Sequence, residues 1–244
     1  MAPATNATTG TTDAAQSAPA ASDAQGSASK PADLSKLDVS AFADLSGAPL
    51  LKAVLLGDAN LTDLDGYSAG ASETLGEYVQ AFNKAAGYDQ IGASITFSKF
   101  SLVDLDQNGS PEVVLWVYGD TGFLVLHERD GAVYGNLLFW RQFSNVKEDG
   151  TFSFDGEWSY NGYATISFSN KNGQDGYTVT VTTHRVSNDE PDNGLVNYSY
   201  YVGQQSVTPE EWAAADEQES KKPDAVWFDF TEQNVEAVFS ALGL

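Results

Sequence analysis

Residues 97–117 read Phe-Ser-Lys-Phe-Ser-Leu-Val-Asp-Leu-Asp-Gln-Asn-Gly-Ser-Pro-Glu-Val-Val-Leu-Trp-Val. Two runs of apolar, β-branched and aromatic residues bracket a polar stretch, Asp104 to Glu112, that contains both Gly and Pro, so the segment reads as strand, loop, strand. The same pattern continues on both sides. Runs rich in Val, Ile, Phe, Tyr and Thr predict strands at 95–104, 112–119, 123–128, 132–142, 151–154, 157–161, 164–169, 176–187 and 195–203. Asp130-Gly131, Asp149-Gly150, Asp155-Gly156, Asn161-Gly162 and Asn172-Gly173 punctuate these runs. Such dipeptides tolerate the positive φ of tight hairpins, so the expected arrangement is an antiparallel meander.

Helices flank this region. Phe42, Leu45, Leu51, Val54 and Leu55 predict helix within 39–56, interrupted near Gly47 to Pro49. Leu75, Tyr78, Val79 and Phe82 keep helical spacing between about Ser72 and Gly87. Thr208-Pro209-Glu210-Glu211 has the form of a capping box with Pro at the first helical position. A last helix from about Thr231 places Val235, Val238, Phe239 and Leu242 on one face. The expected fold class is α+β, mainly antiparallel β-sheet with N-terminal and C-terminal helices packed on it. The stretch 34–244 suits a single domain.

Residues 1–33 contain no Leu, Ile, Val or aromatic side chain and consist mostly of Ala, Thr, Ser, Pro, Gly, Asn, Gln and Asp. Such a segment cannot bury enough apolar surface to offset its ordering entropy, and it is expected to be a disordered spacer. It resembles the Ser/Thr/Ala-rich tether behind the acylated cysteine of Gram-positive lipoproteins. That resemblance implies an extracellular or cell-surface protein, with a membrane link only through an N-terminal lipid anchor lost together with an export signal. The alternative is a cytosolic protein with a loose tail.

The formal charge is -22, from 34 acidic and 12 basic residues. A polyanion is repelled by phosphate backbones and anionic head groups, which argues against nucleic-acid partners and basic-patch membrane docking. It attracts cations instead. With no cysteine, disulfides, thiolate zinc sites, iron–sulfur clusters and thiol catalysis are excluded for this chain. No apolar run approaches the roughly 20 residues that span a bilayer.

The loop Asp104-Leu105-Asp106-Gln107-Asn108-Gly109-Ser110-Pro111-Glu112 sets oxygen donors at positions 1, 3, 5 and 9, with Gly at position 6. Alternate side chains converge on one point, Gly109 permits the sharp turn, and the Ser110 carbonyl adds an oxygen. Six to eight oxygens at a flexible site suit Ca²⁺, so Asp104, Asp106, Asn108, Ser110 and Glu112 are the candidate ligands of a structural calcium ion. The competing reading is a solvated acidic hairpin turn. An EF-hand is excluded because position 12 is Leu115 and both flanks are strand-like.

The stretch Leu102 to Val114, with Pro111-Glu112 inside it, resembles a loop of uncharacterised secreted proteins and lipoproteins of gut Firmicutes. Residues 51–57 (Leu-Lys-Ala-Val-Leu-Leu-Gly), 207–212 (Val-Thr-Pro-Glu-Glu-Trp) and 227–231 (Trp-Phe-Asp-Phe-Thr) extend the likeness across most of the domain. The loop is also similar to the calcium loops of FG-GAP propeller blades, but it occurs once, and a propeller needs several repeats. The resemblance implies a calcium loop on a different scaffold and no known reaction.

Other signals are weaker. Gly66-Tyr67-Ser68-Ala69-Gly70 matches the serine-hydrolase elbow, yet its approach, Asn60 to Asp65, reads as polar with no entering strand. His127 and His184 lack a nucleophile or ligand partner in the pattern and read as a half-buried and an exposed strand residue. Asp155 with Glu157, and Asp189, Glu190 and Asp192, read as solvated loop acids rather than a glycosidase pair. Trp116, Trp140, Trp158, Tyr160, Tyr163, Tyr198, Tyr200 and Tyr201 read mainly as core, with an exposed platform for glycan or protein as the alternative. The expected function is thus non-catalytic: an exported domain with a structural calcium loop and a sheet that binds a ligand or protein. A carbohydrate-binding module is the first alternative and a hydrolase the second.

Overall fold

The computed structural model describes residues 30–65, 67, 72–117, 122–156, 160–171, 174–188 and 197–244. In chain order the strands are β1 (Leu61–Asp63), β2 (Ser72–Glu73), β3 (Phe97–Val103), β4 (Glu112–Val117), β5 (Gly122–Arg129), β6 (Ala132–Phe139), β7 (Phe152–Asp155), β8 (Tyr160–Lys171), β9 (Gln174–Ser187), β10 (Tyr198–Val202), β11 (Gln205–Val207) and β12 (Phe228–Asp229). The α-helices are α1 (Ala48–Leu56), α2 (Leu75–Ala85), α3 (Pro209–Ser220) and α4 (Glu232–Ala241). They make an α+β fold with two sheets. The first has the order β12-β3-β4-β5-β6-β1-β2 and the second β11-β10-β9-β8-β7. All pairings are antiparallel except that of β1 with β6.

Strands β3 to β6 form the expected meander. The β5–β6 turn has Asp130 at φ 54 and Gly131 at φ 78, which matches the right-handed twist of the two strands. Strand β4 is buried on both faces. Val113 and Leu115 join the core under the helices with Leu51, Val54, Leu124, Val238 and Phe239. Val114 faces the opposite way, toward Val125, Phe143, Phe152 and Ile166, where the second sheet packs. The layers are therefore α1 and α4, the first sheet and the second sheet, with α3 packed against β8, β9 and β10 of the second sheet, and each fully buried Leu or Val of β4 contributes roughly 1.5–3 kcal/mol to that packing.

The helix ends obey the local signals. Thr74 caps α2 with Glu77 as its reciprocal partner, and Thr208 caps α3 with Glu211 in the same way. Thr231 caps α4, whose Val235, Val238 and Phe239 are buried as expected. Helix α2 starts at Leu75 rather than near Ser72, because Ser72–Glu73 pairs with β1 before the cap. Ahead of α1 short 3-10 turns form at Leu34–Lys36 and Val39–Ala41, so the interruption at Gly47 separates a turn from a helix.

Three expectations change. The runs at 157–161 and 164–169 are not two strands: from Tyr160 onward they belong to the single strand β8, and Asn161-Gly162 is no turn. Gly162 is needed there because a Cβ would lie 1.8 Å from the Thr183 carbonyl oxygen, beside a register shift at Tyr163/Ala164. The stretch Asn60 to Asp65, read as strandless, contains β1. Finally, Lys30 and Ala32 lie in the compositional spacer but are tied to the C-terminal region: the Ala32 N–H donates to Asn234 Oδ1 at 2.8 Å, and Asn234 Nδ2 donates to the Lys30 carbonyl at 3.0 Å. Among the described residues no helix is long and apolar enough to cross a membrane.

Candidate metal centre

The acidic loop joins β3 to β4, and its shape follows from its own side chains. Asp104 accepts from the Asn108 N–H through Oδ1 and the Gly109 N–H through Oδ2, both at 2.9 Å. Asn108 Oδ1 accepts from the Ser110 N–H at 2.6 Å. Gln107 and Gly109 take positive φ, 60 and 92, which closes the turn. The Leu105 N–H donates to Glu112 Oε2 at 2.7 Å and so ties the first strand-end of the loop to the second.

This folding brings carboxylate oxygens of Asp104, Asp106 and Glu112 within 4.8 Å of one another. Glu112 is buried, at 3% exposure, while Asp104 and Asp106 are half-buried. Burial pushes the Glu112 carboxyl well above the usual carboxylate range, and the Asp106 and Asp104 charges push the same way against the Leu105 N–H. Burial also raises Asp106, opposed by N–H groups of Asn108 and Phe168. Like charges at such spacing repel by roughly 3 kcal/mol per pair at an effective dielectric constant of about 20, before solvent screening. Among the described residues no lysine or arginine forms an ion pair with any of the three. Such a group is stable when it holds a proton or a cation, and its all-oxygen donor set fits a hard divalent ion.

Of the five candidate ligands, Asp104, Asp106 and Glu112 converge. Asn108 is exposed and its Oδ1 is engaged by Ser110, while Ser110 is half-buried beside it. The surroundings that hold the loop come from elsewhere in the chain. The Asp44 N–H donates to the Gly109 carbonyl at 2.9 Å, and Gln107 Nε2 donates to the Asp149 carbonyl at 3.1 Å. Gly150, at φ 82, lies so close that a Cβ would be 2.5 Å from the Asp104 carbonyl oxygen. The Asp149-Gly150 dipeptide signalled a turn, and nothing in its spacing signalled that it supports the acidic loop.

The other sequence signals stay dispersed. His127 is buried rather than half-buried, stacked on Phe168 at 4.1 Å between ring centroids, and burial lowers its pKa to about 4. His184 is half-buried rather than exposed and stacks on Tyr201 at 4.6 Å. Of Gly66 to Gly70 only Tyr67 is described, and it packs on Tyr78 and Phe82. Glu157, Trp158, Asp189, Glu190 and Asp192 lie outside the described residues, and Asp155 is exposed at the end of β7. Tyr198 and Tyr200 share a face, with Arg185 over the Tyr198 ring.

No family model, no curated protein and no solved structure matches the chain. Fold and site together define an α+β protein with an acidic group able to hold a metal ion.

Proposed function

We propose that this is a non-catalytic, exported or surface-tethered domain in which the Asp104–Glu112 loop binds calcium structurally. The observation that carries the reading is the convergence of three carboxylates, one of them buried, with no cationic side chain among the described residues paired to them. Asp104, Asp106 and Glu112 would hold the ion, with Asn108, the Ser110 carbonyl and water completing an oxygen shell. When bound, calcium offsets two of the three carboxylate charges and pins the end of β3 to the start of β4. The role is structural because the loop closes a hairpin at the junction of both sheets, where Asp149, Gly150 and Phe168 meet it. Export is supported by the spacer composition, by the acidic charge and by the resemblance to secreted Firmicutes proteins.

The test is thermal unfolding of the full chain in EDTA and in 1 mM Ca²⁺, together with Asp104→Ala. With a dissociation constant of ~0.1 mM, calcium adds ~1.4 kcal/mol, which for a chain of this size raises Tm by roughly 3–6 °C. Asp104→Ala abolishes the rise. Equal melting curves with and without calcium would reduce the loop to an acidic turn.

A further inference from the structure

Strand β9 pairs with β8 almost throughout, but on its other side it is paired only in part. Strand β10 covers Thr183 to Ser187, and the Gly203 N–H closes on the Thr182 carbonyl at 2.6 Å. Beside Asp175 to Val181 no strand lies among the described residues. Other sheet margins are short or covered. Strands β2, β11 and β12 have two or three residues, β7 is bridged to Ser144 through Ser153, and the outer side of β8 meets the acidic loop, where the Phe168 N–H donates to Asp106. An open edge is a row of unpaired N–H and C=O groups that templates another strand. We infer that the protein dimerises here, residues 175–181 of one copy pairing antiparallel with the same residues of a second.

The backbone of this edge is aimed outward. Phe168 stands opposite Tyr177 and turns its N–H away from β9 toward Asp106. The two therefore form a non-hydrogen-bonded pair, and Tyr177 likewise turns its N–H and C=O away from β8. Val179 and Val181 follow at steps of two and do the same. The side chains are open as well. Val179 is 42% exposed and Tyr177 40%, although Ile166, directly opposite Val179 on the same face, is 2% exposed. The first sheet covers Ile166 and stops short of Tyr177 and Val179, leaving an apolar stripe beside the free backbone.

The segment fits its own copy. Residues 176–182, Gly-Tyr-Thr-Val-Thr-Val-Thr, alternate Thr with Tyr or Val and carry none of the charges or prolines that blunt an edge. Strand β10 stops an incoming strand at Thr182, so the two-fold axis falls at the middle of the open stretch, Thr178. That register sets Tyr177 opposite Val179 of the second copy and Thr178 opposite Thr178, an aromatic–β-branched pair and a Thr–Thr pair, both favourable across strands. Asp175, ion-paired with Arg129, falls opposite Val181, so no two carboxylates face each other. A two-fold contact of this kind closes on itself as a dimer. A basic foreign strand would find no carboxylate on 176–182 to recognise. Repulsion between two chains of charge -22 opposes the dimer, and salt screens it.

The experiment is sedimentation velocity of the full chain at 5–200 µM in 1 mM Ca²⁺, in 50 mM and in 500 mM NaCl. Wild type should pass from monomer to dimer as concentration rises, with a lower dissociation constant at the higher salt. Val179→Pro removes an outward N–H that β8 does not use, so it should keep the circular dichroism spectrum and weaken the dimer ~tenfold or more. Thr178→Cys adds a geometric readout in a chain that has no cysteine. At the two-fold axis a non-hydrogen-bonded pair places the two Cα atoms about 4.5 Å apart, within disulfide range. Mild oxidation should link this variant into dimers, while Thr165→Cys on β8 stays unlinked. A wild type that is monomeric at every concentration and salt would overturn the inference. So would a dimer that Val179→Pro leaves intact, or one that Thr178→Cys does not cross-link, since either places the contact elsewhere. None of these outcomes depends on whether the acidic loop binds calcium.

Discussion

The two ends of strand β4 carry opposite chemistries, roughly 13 Å apart along the strand. At Glu112 the chain gathers three carboxylates in one contiguous nine-residue loop. At Trp116 it gathers aromatic rings contributed by β4, β5, the residue after β6 and the segment before β12. The first end is made by local sequence and supported by distant residues. The second exists only because distant residues meet. Both share one connector, residues 140–151, which lines the cleft beside these rings at Asn145 and Val146 and braces the acidic loop at Asp149 and Gly150.

The sharpest way to break the acidic end without touching a carboxylate is Gly150→Ala. It combines a positive φ with a Cβ 2.5 Å from the Asp104 carbonyl, so it should cost ~3 kcal/mol by urea denaturation. Gly131→Ala has a similar φ of +78 and open space around it, and should cost only ~1 kcal/mol. Equal losses for the two would mean that the acidic loop is not braced by the connector.

Calcium itself should come next, at the ~1.4 kcal/mol given above, lost in Asp104→Ala. Its pH dependence sharpens the comparison. Glu112 and Asp106 have folded-state pKa values raised above their ordinary ones, so in EDTA their contribution is fully present below about pH 4 and is lost as pH rises through the folded values. Asp65, raised by burial to about 6, acts in the same direction with or without calcium. His127, lowered by burial to about 4, acts in the opposite direction and costs stability as pH falls below its ordinary value, so only the calcium increment reports on the loop. Added calcium should stabilise the protein to urea more at pH 8 than at pH 5, where protons compete for Glu112 and Asp106. A calcium increment equal at the two pH values would mean that Glu112 and Asp106 do not hold the ion.

The smallest expected change is at the aromatic end. Trp140→Ala should cost ~1 kcal/mol, because about half of the indole is exposed and Arg141 covers its ring. A large loss of stability would show that this indole is part of the core.

Much of the fold was legible because its signals are local. Caps at Thr74, Thr208 and Thr231, the Asp130-Gly131 turn and the apolar runs of β3 to β6 each encode their own backbone state. Asn161-Gly162 misled because the same dipeptide that closes a hairpin also permits two backbones to approach within a strand, and only the presence of Thr183 opposite distinguishes the cases. The short strand β1 escaped notice because three residues, Leu61 to Asp63, carry no period. They become a strand through parallel pairing with β6.

By itself, then, the sequence determined the α+β class, the helix caps, the order of most strands and the acidic loop, since each depends on residues within a few positions of one another. The division into two sheets, the burial of Glu112 and His127, the bracing by Gly150 and the aromatic cleft were decided by tertiary structure. These depend on which residues become neighbours across long loops, and burial and close approach are set by those neighbours rather than by the identity of the residue itself.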